Sequence, residues 1–199
     1  MWDKRYTTPD YVFGTEPSGF LRRQIDLLEA GSEALAIADG EGRNSVFMAE
    51  CGLQVTAMDS SSVGLDKARR LVSSRGVTVD FQMADLSAWD WAPAQYDVVA
   101  AIFIQFADPP FRDAIFSGIE QTLKPGGLLL LHGYTPRQLA HGTGGPGIAE
   151  NLYEPDMLAA RFQNWEVLRL AEYEAELDEG VGHSGMSALV DLIARRPTQ

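Results

Sequence analysis

The 199-residue chain has a single cysteine, Cys51, so neither an internal disulfide nor a cysteine-based metal cluster can form. Cys51 falls among Phe47, Met48 and Ala49, where a buried, inert thiol is expected. Basic residues are scarce: 16 lysines and arginines against 28 acids give a formal net charge of -12. No basic run offers a strip for a phosphate backbone, so no nucleic-acid partner is expected. No apolar stretch approaches the roughly 20 residues of a membrane span. The opening "MWDKRYTTPDYVFG" lacks the apolar core of a signal peptide, and a cytoplasmic chain without a membrane partner is the expectation. There is no internal repeat and no linker, which predicts one domain across 1–199. The acids of "EYEAELDEG" lack the spacing of a calcium loop, and no metal is expected.

What the chain does have is alternation. Phe20, Leu21, Ile25, Leu27 and Leu28 fall at helical spacing within Pro17–Ala30, with Gly31 as a stop. Apolar runs follow at Ala34–Ala38, Val55–Met58, Val77–Met83, Val98–Ile104 and Leu128–Leu131. Helical patterns separate them near Arg43–Cys51, Val63–Ser74 and Pro110–Leu123. Such alternation predicts an α/β fold with a doubly wound, mostly parallel sheet and helices on both faces. In the last third, "HGTGGPG" predicts a loop, flap or plain connection, and Asp156–Phe162 a short helix. Glu166–Tyr173 and Met186–Ala194 read as two strands joined by "EAELDEGVGHSG", an antiparallel pair closing the sheet.

The loop after the first strand, "ADGEGRNS", sits at the carboxyl end of the sheet, where doubly wound folds bind ligands. Gly40 and Gly42 would let a ligand approach the backbone, and the helix from Arg43 would present free amides. The second strand ends in Asp59, which can accept from both hydroxyls of a ribose; equally, "DSSS" could simply cap the next helix. A dinucleotide would place its pyrophosphate on the helix and favours a third small residue, here Ser45. S-adenosylmethionine has no phosphate and needs only the close approach.

"GEGRN", "VTAMDSSSVGLDKAR", "MADLSAWDW", "YDVVAAIFIQF" and "LKPGGLLLLHGY" come in the order and spacing of class I S-adenosylmethionine-dependent methyltransferases. The chain resembles that family over about Leu35–Tyr134, and "WDKRY…YVFGTEPSGFL" is similar to small bacterial members related to tellurite-resistance methyltransferases. The resemblance implies a seven-stranded Rossmann-like sheet, with a lid segment and helix at 1–32, a cofactor-binding core at 33–134 and substrate-side elements at 135–199. It implies that Asp39, Gly40 and Gly42 line the methionine and ribose of S-adenosylmethionine, with Asp59 on the ribose and Ser60 beside the adenine. Asp85 and Leu86 would contact the adenine, Ile102 and Phe103 would pack beneath the cofactor, and Pro125, Gly126 and Gly127 would be structural. Family members usually carry an acid and a glycine where this chain has Ala36 and Ala38. Asp39 is then the acid left to hold the cofactor's ammonium.

The implied activity is methyl transfer to a small molecule, with a thiol, selenium or tellurium acceptor leading and S-adenosylhomocysteine as product. Alternatives are a cofactor-binding regulatory protein without turnover, or a nicotinamide-dependent oxidoreductase. Transfer from a sulfonium needs alignment first, and a base only for a protonated acceptor. His183, in a segment like the family's "EG..H.G", is the leading catalytic candidate, with Tyr11 second. Tyr11 and its neighbours Trp2, Tyr6 and Phe13 could form a lid or simply pack on the sheet rim. His132 would face a pocket or solvent, and His141 would be exposed. A monomer or homodimer is expected.

Overall fold

The computed structural model describes residues 2–198. Its helices are α1 (Trp2–Tyr6), α2 (Gly19–Arg22), α3 (Arg43–Glu50), α4 (Ser62–Arg75), α5 (Pro109–Thr122), α6 (Gln138–His141) and α7 (Pro155–Arg161). Its strands are β1 (Glu33–Ile37), β2 (Gln54–Asp59), β3 (Asp80–Met83), β4 (Tyr96–Ile102), β5 (Leu123–Tyr134), β6 (Glu166–Asp178) and β7 (Ser184–Arg195). They form a seven-stranded sheet in the order β3-β2-β1-β4-β5-β7-β6, the α/β class that the alternation predicts. By its internal contacts the chain divides into two compact units. One runs to Asp90 and includes Glu179–Gly182; the other comprises Trp91–Asp178 and continues from His183.

In the first unit β1, β2 and β3 run parallel, with Ile37 beside Met58 and Asp59 beside Met83. The side chains of Phe20, Leu21, Leu35, Ile37, Met48, Met58 and Leu65 are fully buried. Each contributes about 1.5–3 kcal/mol by leaving water. α4 starts where the Ser61 side chain accepts from the Gly64 amide, and it stops at Gly76, in left-handed backbone at φ 68°. The helix expected over Pro17–Ala30 does not form as one piece. After α2 the Gln24 side chain donates to the Phe20 carbonyl, while the Gln24 amide turns to Leu21. That replaces the next helical hydrogen bond, and a short 3-10 turn, Ile25–Leu27, follows.

In the second unit β4 and β5 are parallel, and β7 pairs antiparallel with both β5 and β6. Asp108 caps α5 by accepting from Phe111, and prolines fill its first turn. Tyr134, Tyr153, Phe116, Phe162 and Ile104 are its largest fully buried side chains. "LKPGG" lies inside β5 as a bulge: Leu123 pairs with Tyr96, and pairing resumes only at Leu128 with Val98. The link between the last two strands is shorter than expected, since β6 runs on to Asp178 and β7 starts at Ser184. The acids of β6 alternate outward, as on a solvated strand. Among the described residues no helix is long and apolar enough to cross a membrane. Nor, among them, do three or more His, Cys, Asp or Glu side chains group as metal ligands. Cys51 is half-buried rather than buried, with burial and the adjacent Glu50 pushing its thiol pKa up.

Candidate functional site

In the first unit the turn after β1 is built around two carboxylates. Asp39 accepts from the Ser45 hydroxyl and, at 3.2 Å, from the Ser45 amide. Asp59 accepts from the Gly40 amide at 2.8 Å and from the Ser61 amide at 2.8 Å. Asp39 keeps partial access to solvent, yet the protein around it desolvates the carboxyl and pushes its pKa up to about 7 against the Ser45 hydrogen bonds. Burial raises the pKa of Asp59 as well, in spite of its amide donors. Ala38, where the family's glycine would stand, is held in left-handed backbone at φ 48°.

The glycines of the turn answer to neighbours within the chain. A side chain on Gly42, at φ 91°, would meet the Ala68 methyl of α4 at 2.6 Å. On Gly40 it would meet the Tyr6 hydroxyl at 2.6 Å. Close approach is therefore required here, but by α4 and Tyr6, before any ligand is considered. Tyr6 is buried, which raises its phenol pKa, and α1 docks where the Asp3 carboxylate accepts from the Ser61 hydroxyl and the Val63 amide.

A second layer went unseen in the sequence. Glu41 and Lys67 form a buried ion pair at 2.7 Å, with side chains 2% and 3% exposed. Lys67 also donates to the Asp10 carbonyl, and Glu41 accepts from the Phe13 amide. Arg43 pairs with Glu179 at 2.8 Å, Glu179 accepts from the Gly19 amide, and the Asn44 side chain accepts from the Ser18 amide. The signal for Lys67 was its place beside Gly64, Ala68 and Leu71, the face that α4 buries. Tyr11 is tied down too: its hydroxyl donates to the Lys67 carbonyl at 3.0 Å, as a strut rather than a free acid. Ser60, after Asp59, is exposed; Leu86 is buried, and Asp85 is exposed, its pKa lowered by the Ser87 hydroxyl and by the Ser87 amide, which donates to it at 2.8 Å.

The second unit gathers rings. Phe103, in left-handed backbone at φ 56°, follows the buried Ile102 at the end of β4, and its amide donates to the His132 carbonyl. Its ring lies 4.0 Å from His183, 4.8 Å from His132 and 4.8 Å from Tyr134, centre to centre. His183 is buried at 7% exposure. The Gln105 side chain takes both backbone groups of Tyr134, and Gly133 leaves room for it. His132 does not face solvent: it is buried, its Nδ1 2.9 Å from Asp191 across the strand pair. Burial opposes the charge on Asp191, but donation from His132, Arg169 and Tyr173 prevails and holds its pKa below the usual range. A lone acid in the apolar "ALVDLI" was the signal for this cluster. His141 is only partly exposed, near Glu174. The "HGTGGPG" loop is tied down by Gln138 donating to Thr143 and by Thr143 donating to the Met186 carbonyl.

A family model described as a methyltransferase domain matches residues 34–127. Over 146 residues the chain is 32% identical to the tRNA 5-carboxymethoxyuridine methyltransferase of Escherichia coli (strain K12), covering 66% of this chain and 53% of that protein. Over 110 residues it is 34% identical to the ubiquinone biosynthesis O-methyltransferase of Idiomarina loihiensis, covering 55% and 44% respectively. The chain thus spans about half the length of these relatives. TehB from Haemophilus influenzae superposes with a TM-score of 0.72 at 17% identity, over 98% of this chain and 65% of that one, a likeness of fold alone.

Proposed function

We propose that this chain is a class I S-adenosylmethionine-dependent methyltransferase that moves the sulfonium methyl group onto a small nucleophilic acceptor, a reading supported by the methyltransferase-domain match over residues 34–127. The observation that carries the choice of ligand is the pair of carboxylates, Asp39 and Asp59, flanking the Gly40 turn. A pyrophosphate would meet two acids there, and the nearby Arg43 is engaged by Glu179. A nucleoside with a cationic sulfonium and ammonium meets attraction instead. These residues fit S-adenosylmethionine and argue against a nicotinamide dinucleotide.

In this reading Asp39 takes the ammonium and Asp59, whose amide contacts leave lone pairs to spare, takes the ribose hydroxyls. Ser60, Asp85 and Leu86 supply the adenine side, and Gly40 and Gly42 set the turn. When bound, the cofactor supplies an electrophilic methyl group, so the chain has only to align the acceptor and, for a protonated acceptor, remove a proton. His183, braced by Phe103, is the residue we assign to that proton, while Tyr11 is a strut. The resemblance of the N-terminal segment to tellurite-resistance methyltransferases supports a thiol, selenium or tellurium acceptor. The net charge of -12 supports a small molecule over tRNA.

The test is release of S-adenosylhomocysteine across a panel of thiols, selenite, tellurite, amines, phenols and tRNA. Turnover on a thiol or chalcogen oxyanion, falling at least tenfold in His183→Ala at unchanged cofactor affinity, is expected. Full activity of His183→Ala on the best acceptor would remove it from the mechanism. Cofactor binding without product from any acceptor would leave a regulatory protein.

A further inference from the structure

The segment Asp10–Gly19 is a strap with almost no regular structure of its own, so its backbone polar groups need partners from elsewhere. They come from two directions. From the glycine turn and its two helices, Lys67 takes the Asp10 carbonyl, Glu41 the Phe13 amide and Asn44 the Ser18 amide. From Glu179–Gly182, the Glu179 carboxylate takes the Gly19 amide at 2.8 Å, and the Gly182 amide donates to the Val12 carbonyl at 2.9 Å. This second contact is backbone against backbone. A side chain on Gly180 would meet the Gly14 nitrogen at 2.5 Å and the Val12 oxygen at 2.6 Å; on Gly182 it would meet the Phe13 ring at 2.4 Å.

One residue belongs to both sets. Glu179 reaches the strap through Gly19 and the first residue after the glycine turn through Arg43, at 2.8 Å with side chains 12% and 6% exposed. Solvent screens so buried a pair weakly. Arg43 opens α3 directly behind Gly42, so whatever holds Arg43 and the strap together also holds the strap against the turn that carries Asp39 and Gly40.

We propose that Glu179 and Arg43 are positioning residues for cofactor retention: their ion pair fastens the Asp10–Gly19 strap to the glycine turn, and its release sets how fast the nucleoside leaves. The proposal rests on the methyltransferase reading above. Glu179 touches no nucleoside in this scheme and acts through the strap.

The experiment uses the full chain and two variants, Glu179→Ala and the milder Glu179→Gln, which keeps a neutral acceptor for the Gly19 amide while removing the negative charge that pairs with Arg43. Amide hydrogen exchange over 12–19, the dissociation rate of S-adenosylhomocysteine by stopped-flow, and KM and kcat are measured together. In Glu179→Ala the strap amides should exchange at least tenfold faster, and dissociation and the KM for S-adenosylmethionine should rise about tenfold, with kcat within twofold. Glu179→Gln should fall between that variant and the native chain. A general loss of structure would instead speed exchange in β1 and β2 and lower kcat; if Glu179→Ala does this, Glu179→Gln decides. Unchanged strap exchange, or a freed strap with unchanged dissociation, overturns the proposal. If the native chain binds neither S-adenosylmethionine nor S-adenosylhomocysteine, the methyltransferase reading fails and cofactor retention fails with it, whereas the exchange arm still reports on the fastening.

Discussion

Two strand ends among the candidate site residues place a residue other than glycine in left-handed backbone: Ala38 after β1 and Phe103 after β4. Their surroundings have little else in common. Behind Ala38 stand carboxylates, serines and ion pairs, so that turn is fixed by hydrogen bonds and charge. Around Phe103 stand three aromatic rings, so that corner is fixed by packing. Buried charge is costly to leave unpaired, whereas ring packing leaves no charge stranded when a partner is lost. The first arrangement suits a ligand of fixed chemistry, as a nucleoside cofactor is.

The largest effect should come from breaking the charged end. Lys67→Met strands Glu41 at 2% exposure and should cost about 3–5 kcal/mol in denaturant unfolding. Replacing both partners with apolar residues should recover most of that loss; no recovery would mean that the strap contacts, not the charges, hold this region.

Next in size is the pH dependence of the same end. Asp39 has its folded pKa raised to about 7, above its unfolded value. Below about pH 4 both states are protonated and nothing is lost. Between there and pH 7 the folded state keeps a proton that the unfolded state releases, so stability falls as pH rises, by roughly 2–4 kcal/mol, and levels off above. Asp39→Asn should flatten that part of the stability profile. Binding a cationic cofactor would favour the ionised carboxylate, so calorimetry near pH 6 should show proton release that the variant lacks.

Smaller and opposite effects should separate the two left-handed positions. Phe103→Gly relieves the backbone but removes the ring against which His183 packs, and should lose about 2 kcal/mol in thermal or denaturant unfolding. Ala38→Gly relieves the same kind of backbone with only a methyl to lose, and should be neutral or stabilising by up to about 1 kcal/mol. If both variants were destabilised equally, the contrast between a charged end and a packed end would fail.

Much was legible from local pattern. The strand and helix alternation, the acid closing β2 and the capping "DSSS" run are local features, and the observed elements follow them. The Pro17–Ala30 helix was misread because its period is helical, while a buried glutamine side chain diverts the hydrogen bond that would continue it. Tyr11 looked chemical because a phenol near a ligand loop can polarise an acceptor, and only the position of the Lys67 carbonyl shows it engaged.

The sequence by itself determined the fold class and the turn after β1, because hydrophobic period and the order of glycines and acids depend on neighbours a few residues apart. Tertiary structure alone decided what Gly40 and Gly42 make room for, which acids are buried, and that Glu179 reaches back to Gly19 and Arg43. Those outcomes join residues as far apart as Gly19 and Glu179. Burial and pairing there follow from where the chain returns in space, which no local pattern encodes.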